Sequence, residues 1–376
     1  MSKIRLCLLG LATCLLGFSE FCLTLPCLAQ GAPDEKQIQA AIEKGIDFLK
    51  ITQADDGTWT SPTSLGVTGL VTYSMLVNGV SVDEPHVSTA LKKIEANIHP
   101  DGGIYHPEST HKNYETAIVI QALVAANPDG RYSKIIQNAV NYLKNIQWDD
   151  SEQTAKEAPA FGGAGYGKSA RPDLSNTAFF MDALKAAGIS AHEPAMQNAM
   201  VFVSRCQNLK GPHNDTPFAD KINDGGFYYT PAAGGSSPAG KTPEGGLRSY
   251  GSMTYAGLKS MIYAGLTEDD PRVKAAEEWL RKFYTLEENP GMGQQGLYYY
   301  YQTVARAMDA LGREQFLDST GSSHLWRIEL ASQLLARQKP NGSWINGTAR
   351  WMEGDPNLVT AYALMTLAQC KPPRSR

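Results

Sequence analysis

The stretch Lys44–Trp59, KGIDFLKITQADDGTW, ends an amphipathic helix at Gln53, turns through Asp55-Asp56-Gly57 and presents an aromatic side chain at Trp59. Leu334–Trp344, LLARQKPNGSW, repeats the spacing: Leu49, Gln53, Gly57 and Trp59 correspond to Leu334, Gln338, Gly342 and Trp344. Such a unit makes physical sense as a corner between two helices. A helix end leaves carbonyls without partners, and a side-chain amide can bond them. Glycine supplies the turn, and tryptophan covers the junction with the next helix.

Working outward, the same order of parts recurs six times: a polar helix, a Gly-rich turn with an aromatic, then a helix of small and apolar residues. The aromatic markers are Trp59, Tyr105, Tyr166, Phe227, Tyr298 and Trp344. The second helix of the first pair, SLGVTGLVTYSMLVNG, is uncharged all round, which marks it as buried on every side. No stretch alternates as strands do. Buried helices must pack on one another, so the economical solution is all-α: a single closed (α/α)6 toroid, six apolar helices inside and six polar ones outside. An open solenoid is the rival arrangement. The ring is preferred because the first and last units share the corner motif and neither is a polar cap.

The chain of 376 residues opens Met-Ser-Lys-Ile-Arg, runs through apolar residues from Leu6 to Phe18 and reaches Cys27-Leu28-Ala29. That order predicts a secretory signal over residues 1–29, cleaved near Ala29, with the toroid occupying 30–376 and no membrane span in the mature chain. Four of the six cysteines lie in the signal, which leaves Cys206 and Cys370, expected as free thiols. The net charge of −4 comes without a basic block and gives no support for a nucleic-acid partner. Protein partners are not legible in the sequence.

The Leu-x3-Gln-x3-Gly-x-Trp corners, with Lys44-Gly45 ahead of the first, resemble the QW repeats of squalene and hopene cyclases. Those enzymes share the α/α-toroid superfamily of terpenoid cyclases with the protein prenyltransferases. The resemblance runs through all six units, strongly in the first and last. It implies a toroid and, in cyclases, a DxDDTA signature at the start of an inner helix, whose central aspartate protonates an alkene or epoxide. Here the matching stretch is Asp173-Leu174-Ser175-Asn176-Thr177-Ala178, with Ser175 and Asn176 in place of the two central acids. A serine cannot protonate an alkene. The prenyltransferase branch holds zinc through Asp, Cys and His, and no Asp-x-Cys occurs here, so neither metal nor cofactor is expected.

Inner-helix N-termini all point to one end of such a ring. Their first residues should form a polar rim of Tyr114, Glu115, Asp173, Ser175, Asn176, Tyr250, Tyr298 and Asp355. Capping a helix is the ordinary role for Asp173 and Asp355. Glu115, just inside an apolar helix, should have a raised pKa and is a candidate acid or base, as is Asp173. On the fifth inner helix Leu297, Tyr301, Val304, Met308 and Leu311 form an apolar stripe. Tyr299, Gln302, Arg306 and Asp309 form a polar one. That stripe either faces the axis or closes on itself as an Arg306–Asp309 pair.

Gly162–Ser169 matches a phosphate-loop pattern but lacks the strand before and the helix directly after it, and reads as a glycine corner. His99, His106 and His111 with Asp101 and Glu108 fit no fixed metal spacing. The leading functional expectation is an exported protein that binds a small apolar or isoprenoid-like ligand in its cavity, or a degenerate cyclase. The alternatives are an extracytoplasmic lyase or hydrolase acting on acidic glycans, and an interaction scaffold using the Thr230–Gly246 loop. The glycan enzyme would use Arg171, Arg248, Arg306 or Arg350 with Glu115, Glu353 or Asp355.

Overall fold

The structure is a computed structural model that describes residues 32–168 and 170–371. The expected signal and its cleavage site lie outside the described residues. Helices alternate outer and inner. The first three pairs are α1 (Glu35–Thr52) with α2 (Leu65–Val77), α3 (Pro85–Glu95) with α4 (Lys112–Ala125), and α5 (Ser133–Asn145) with α6 (Leu174–Ala186). The other three are α7 (Pro194–Arg205) with α8 (Gly251–Tyr263), α9 (Pro271–Lys282) with α10 (Leu297–Leu311), and α11 (Trp326–Arg337) with α12 (Pro356–Cys370). Each inner helix packs on the next, and α12 packs on α2, so the ring closes and an open solenoid is ruled out. The elements foreign to the sequence reading, among the described residues, are a two-stranded hairpin between α10 and α11, Phe316–Leu317 against Ser323–His324, and two single 3-10 turns, Asp150–Glu152 and Arg350–Met352.

Outer helices start with strong local signals. Asp34 and Gln37 form a reciprocal capping box on α1, and α3, α7 and α9 each begin with proline after an acidic N-cap residue. In α1 the buried residues Ile38, Ala41, Ile42, Gly45, Ile46 and Leu49 form one stripe, whereas α2 is buried nearly all round.

The corners work differently from the expectation. The indole Nε1 of Trp59 donates to Leu49 O at 2.7 Å and that of Trp344 to Leu334 O at 2.8 Å, so tryptophan satisfies the outer-helix end. Gln53 and Gln338 occupy extended C-cap positions, which turns their side chains away from their own helices. The Gln338 amide donates to Gly342 O at 2.9 Å and to Ala41 O on α1 at 2.8 Å. Gln53 does the same to Gly57 O and to His86 O on α3. Gln147 and Gln207 stitch the third and fourth units in the same way, to Ala195 O on α7 and Arg272 O on α9. Each amide therefore ties one corner to the next outer helix.

A second repeated device was not recognised in the sequence. In five inner helices a threonine one turn in (Thr68, Thr116, Thr177, Thr254, Thr360) accepts the backbone N–H of the corner residue at 3.0–3.4 Å. Thr177 of the cyclase-like signature is thus one of a set of structural threonines.

Corner glycines lie against the backbone of the next outer helix. A Cβ on Gly342 (φ +88°) would sit 2.2 Å from Lys44 O, whereas one on Gly79 (φ +89°) would meet nothing within 4 Å. The pair separates backbone strain from steric exclusion. Gly79→Ala should cost about 1 kcal/mol through its left-handed φ alone. Gly342→Ala should cost at least about 3 kcal/mol or prevent folding, because backbone cannot yield to a 2.2 Å contact. Urea unfolding of both variants checks this.

Candidate functional site

The N-terminal ends of the inner helices surround a central cavity of two contiguous lobes, about 470 and 450 Å³. The lobes share His111, Tyr114, Phe179, Trp351, Met352 and Tyr362. Its wall is a continuous belt of rings. His111 meets Tyr166 edge-on at 4.9 Å, Tyr166 leans on Tyr114 at 5.6 Å, and Tyr114 meets Phe179 at 5.0 Å. Phe179 stacks on Tyr299 at 6.2 Å, and Tyr299 leans on Tyr362 at 6.0 Å. Tyr229, Tyr250, Ser236 and Pro238 complete the first lobe, so the Thr230–Gly246 excursion contributes a wall of the cavity.

In the belt, Ser175 accepts from the Tyr114 hydroxyl at 2.6 Å and lies 3.0 Å from the Tyr299 hydroxyl. Three hydroxyls from α4, α6 and α10 therefore meet where the cyclase signature would set its acid. Asn176, 100° further round α6, turns away from the cavity. Its backbone N–H and amide bond Asp173 at 2.8 Å each, and it receives the Asn113 amide at 3.1 Å. Asp173 is the fully buried N-cap of α6, its pKa pushed to about 6 by burial against the pull of the Asn176, Tyr229 and Arg171 groups. Asp355 caps α12 through Asn357 N and Leu358 N. Tyr298 is buried on the far side of α10, edge-on to Tyr301 at 5.8 Å. Of the sequence candidates, the fold brings Tyr114, Glu115, Ser175, Tyr250 and Tyr299 to the cavity. Asp173, Asn176, Tyr298, Arg306 and Asp355 lie behind or below it.

Three carboxylates border the cavity, Glu108, Glu115 and Glu353, and the last two each serve a neighbouring helix. Glu115 on α4 accepts His106 N at 2.8 Å, the Ser109 hydroxyl and Gly66 N at the start of α2. Glu353 accepts Tyr299 N at 2.8 Å and the Asn346 amide, and covers the first N–H groups of α10. The N-cap residues of α2 and α10, Ser64 and Gly296, provide no side-chain cap of their own. Burial raises both acids to about 7. The Arg350–Met352 turn carries Trp351 and Met352 across both lobes, with φ of +55° and +64° and both side chains about half exposed. Two consecutive non-glycine residues in that region mark local backbone strain.

Below the belt the polar stripe of α10 does face the axis. Arg306 bonds Asp182 of α6 at 2.9 Å, and Lys259 of α8 reaches the same carboxylate at 2.6 Å, with Asp182 and Lys259 buried and the Arg306 side chain 10% exposed. The pairing of Arg306 with Asp309 is not made, because Asp309 lies on the outward side and holds Arg327. Burial holds the Lys259 ammonium below its usual pKa against the attraction of Asp182. Of the four arginines considered for an acidic glycan, Arg350 alone lines the cavity. His99 stacks on Tyr105 at 4.0 Å, and no group of three His, Cys, Asp or Glu among the described residues could hold a metal. Gly162 of the phosphate-loop pattern is a corner glycine, and α6 begins only at Leu174. Cys206 and Cys370 are free and buried.

Sequence reasoning missed Phe179, Tyr229, Tyr362, Trp351 and Met352. Phe179 and Tyr362 could have been found from the threonine register, which places them two residues beyond Thr177 and Thr360. The Trp351–Met352 turn has no periodic signal.

Residues 60–230 match the family model of the squalene-hopene cyclase C-terminal domain. No curated protein matches by sequence. A single-residue variant of the type II terpene cyclase MstE from Scytonema is similar at 13% identity and TM-score 0.52, covering 89% of this chain and 97% of that one. A glycosyl hydrolase of family 88 from Bacteroides vulgatus is similar at 9% identity and TM-score 0.53, covering 89% and 98%. A protein geranylgeranyltransferase-I from Candida albicans is a looser likeness, at 13% identity and TM-score 0.46, covering 86% and 97%. The chain shares the α/α-toroid fold with the terpene cyclase and with the hydrolase, so this architecture carries more than one chemistry.

Two predictions follow from the buried charges. Glu115, Glu353 and Asp173 bind protons more tightly folded than unfolded, so their contribution to stability is full below pH about 4 and falls as pH rises through about 6–7. The melting temperature should therefore be higher at pH 5.5 than at pH 8, and Glu115→Gln or Glu353→Gln should narrow the difference. Asp182→Asn leaves two buried cations without a partner and should cost about 3–5 kcal/mol in urea unfolding, with partial recovery on adding Lys259→Met.

Proposed function

We propose that the protein is exported and binds an apolar, isoprenoid-like ligand in the central cavity without protonating it. The observation that carries this reading is the hydroxyl cluster of Tyr114, Ser175 and Tyr299 set in a belt of aromatic rings. Rings and aliphatic groups favour an apolar body, and hydroxyls can donate to or accept from one neutral polar group on it. None of the three hydroxyls is an acid strong enough to protonate an alkene. Of the acids that border the cavity, Glu353 accepts Tyr299 N and the Asn346 side-chain amide, Glu115 accepts His106 N, and Glu108 stands on an exposed loop. Export rests on the signal-like residues 1–29.

Native mass spectrometry with organic extraction, on protein recovered from its own host, tests the reading. The expected result is a co-purifying isoprenoid or lipid and a chain beginning at Gln30. Added geranylgeraniol should bind the emptied protein without being converted, and Phe179→Ala with Tyr299→Ala should weaken binding about ten-fold or more. A protein that carries nothing and binds no prenyl alcohol, or that retains an acidic oligosaccharide, overturns the reading.

A further inference from the structure

The two lobes of the cavity differ in charge. The lobe beside α2 is bordered by two carboxylates, Glu108 and Glu115, and by no lysine or arginine. Glu115 is 5% exposed, and its partners, His106 N, Gly66 N and the Ser109 hydroxyl, are all neutral. The rings of Tyr114, Phe179, Trp351 and Tyr362 border the same space. Aromatic faces attract cations, and a carboxylate without a counter-cation attracts them more strongly as water is excluded. The other lobe differs. It is lined by six tyrosines and carries one charged group of each sign, Glu353 and Arg350, whose guanidinium lies 4.4 Å over Trp351.

Resting on the reading of the cavity as an apolar-ligand site, we propose that its ligand is a cationic amphiphile. The ammonium head sits in the acidic lobe between Glu115 and the rings of Tyr114, Trp351 and Tyr362. The apolar body passes beneath Trp351 into the tyrosine lobe. Because Trp351 and Met352 border both lobes, one extended ligand touches both. An anionic head of the same size would meet two carboxylates in the first lobe. A neutral one would leave Glu115 without a counter-charge.

Isothermal titration of the full chain at pH 8, where Glu115 is ionised, with dodecyltrimethylammonium, dodecanol and dodecyl sulfate, below micelle-forming concentrations, compares three heads on one tail. The ammonium probe should bind about ten-fold more tightly than the alcohol, and the sulfate more weakly than either. Glu115→Gln should reduce the ammonium-to-alcohol ratio to about three-fold or less. Glu108→Gln alters an exposed loop residue that supports no helix and should reduce the ratio by a smaller factor, so the test survives if the first variant folds poorly. Equal binding of ammonium and alcohol, or an undiminished ratio in both variants, overturns the cationic head and leaves the apolar-cavity reading standing. Binding of none of the three probes overturns both.

Discussion

The carboxamide of the corner glutamine is the contact on which the rest of this ring depends. One N–H2 group bonds the glycine carbonyl of its own turn and a carbonyl of the next outer helix, so each of the four units that carry a corner glutamine fixes both its own bend and its neighbour's position. In the last unit that neighbour is α1, and the bond from Gln338 to Ala41 joins the two ends of the fold. A carbonyl buried at such a seam needs a donor. A missing amide would leave two acceptors without one, at about 1–3 kcal/mol each. The glycine is equally constrained, since the neighbouring backbone occupies the place of a side chain.

Closure has a chemical consequence. With all inner helices running the same way, their first turns gather at one end, and the groups that finish those helices become the wall of the cavity. Glu115 and Glu353 cap α2 and α10 from outside those helices and also face the ligand space. Stability and binding are therefore coupled through the same carboxylates. Further down the axis Asp182 neutralises only part of the charge of Lys259 and Arg306, which locks α6, α8 and α10 together below the cavity.

Much of the fold was legible in the residues. Corner spacing, the uncharged second helix and the six recurring turns were enough for a toroid, because a period of helix pairs and a stripe of burial are local properties of the chain. The site was legible in part. Tyr114, Ser175, Tyr250 and Tyr299 occupy the first turns of inner helices and reach the cavity. Their neighbours Asn176 and Tyr298 stand one residue away and point elsewhere, since a single step on a helix turns a side chain by about 100°. The Arg306–Asp309 pairing failed for a related reason. Asp182, distant in sequence, lies across the axis and closer than Asp309.

Taken by itself, the sequence determined the helix pairs, their corners, the glycine and tryptophan positions and the loss of the cyclase acid at Ser175, all of which are set by spacing within one unit. Only the tertiary structure decided that glutamine bonds the neighbouring helix, that Glu353 finishes α10, and that Trp351 and Met352 cross the cavity. The reason is that these contacts join residues of different units, whose distance depends on how the ring closes and leaves no periodic trace along the chain.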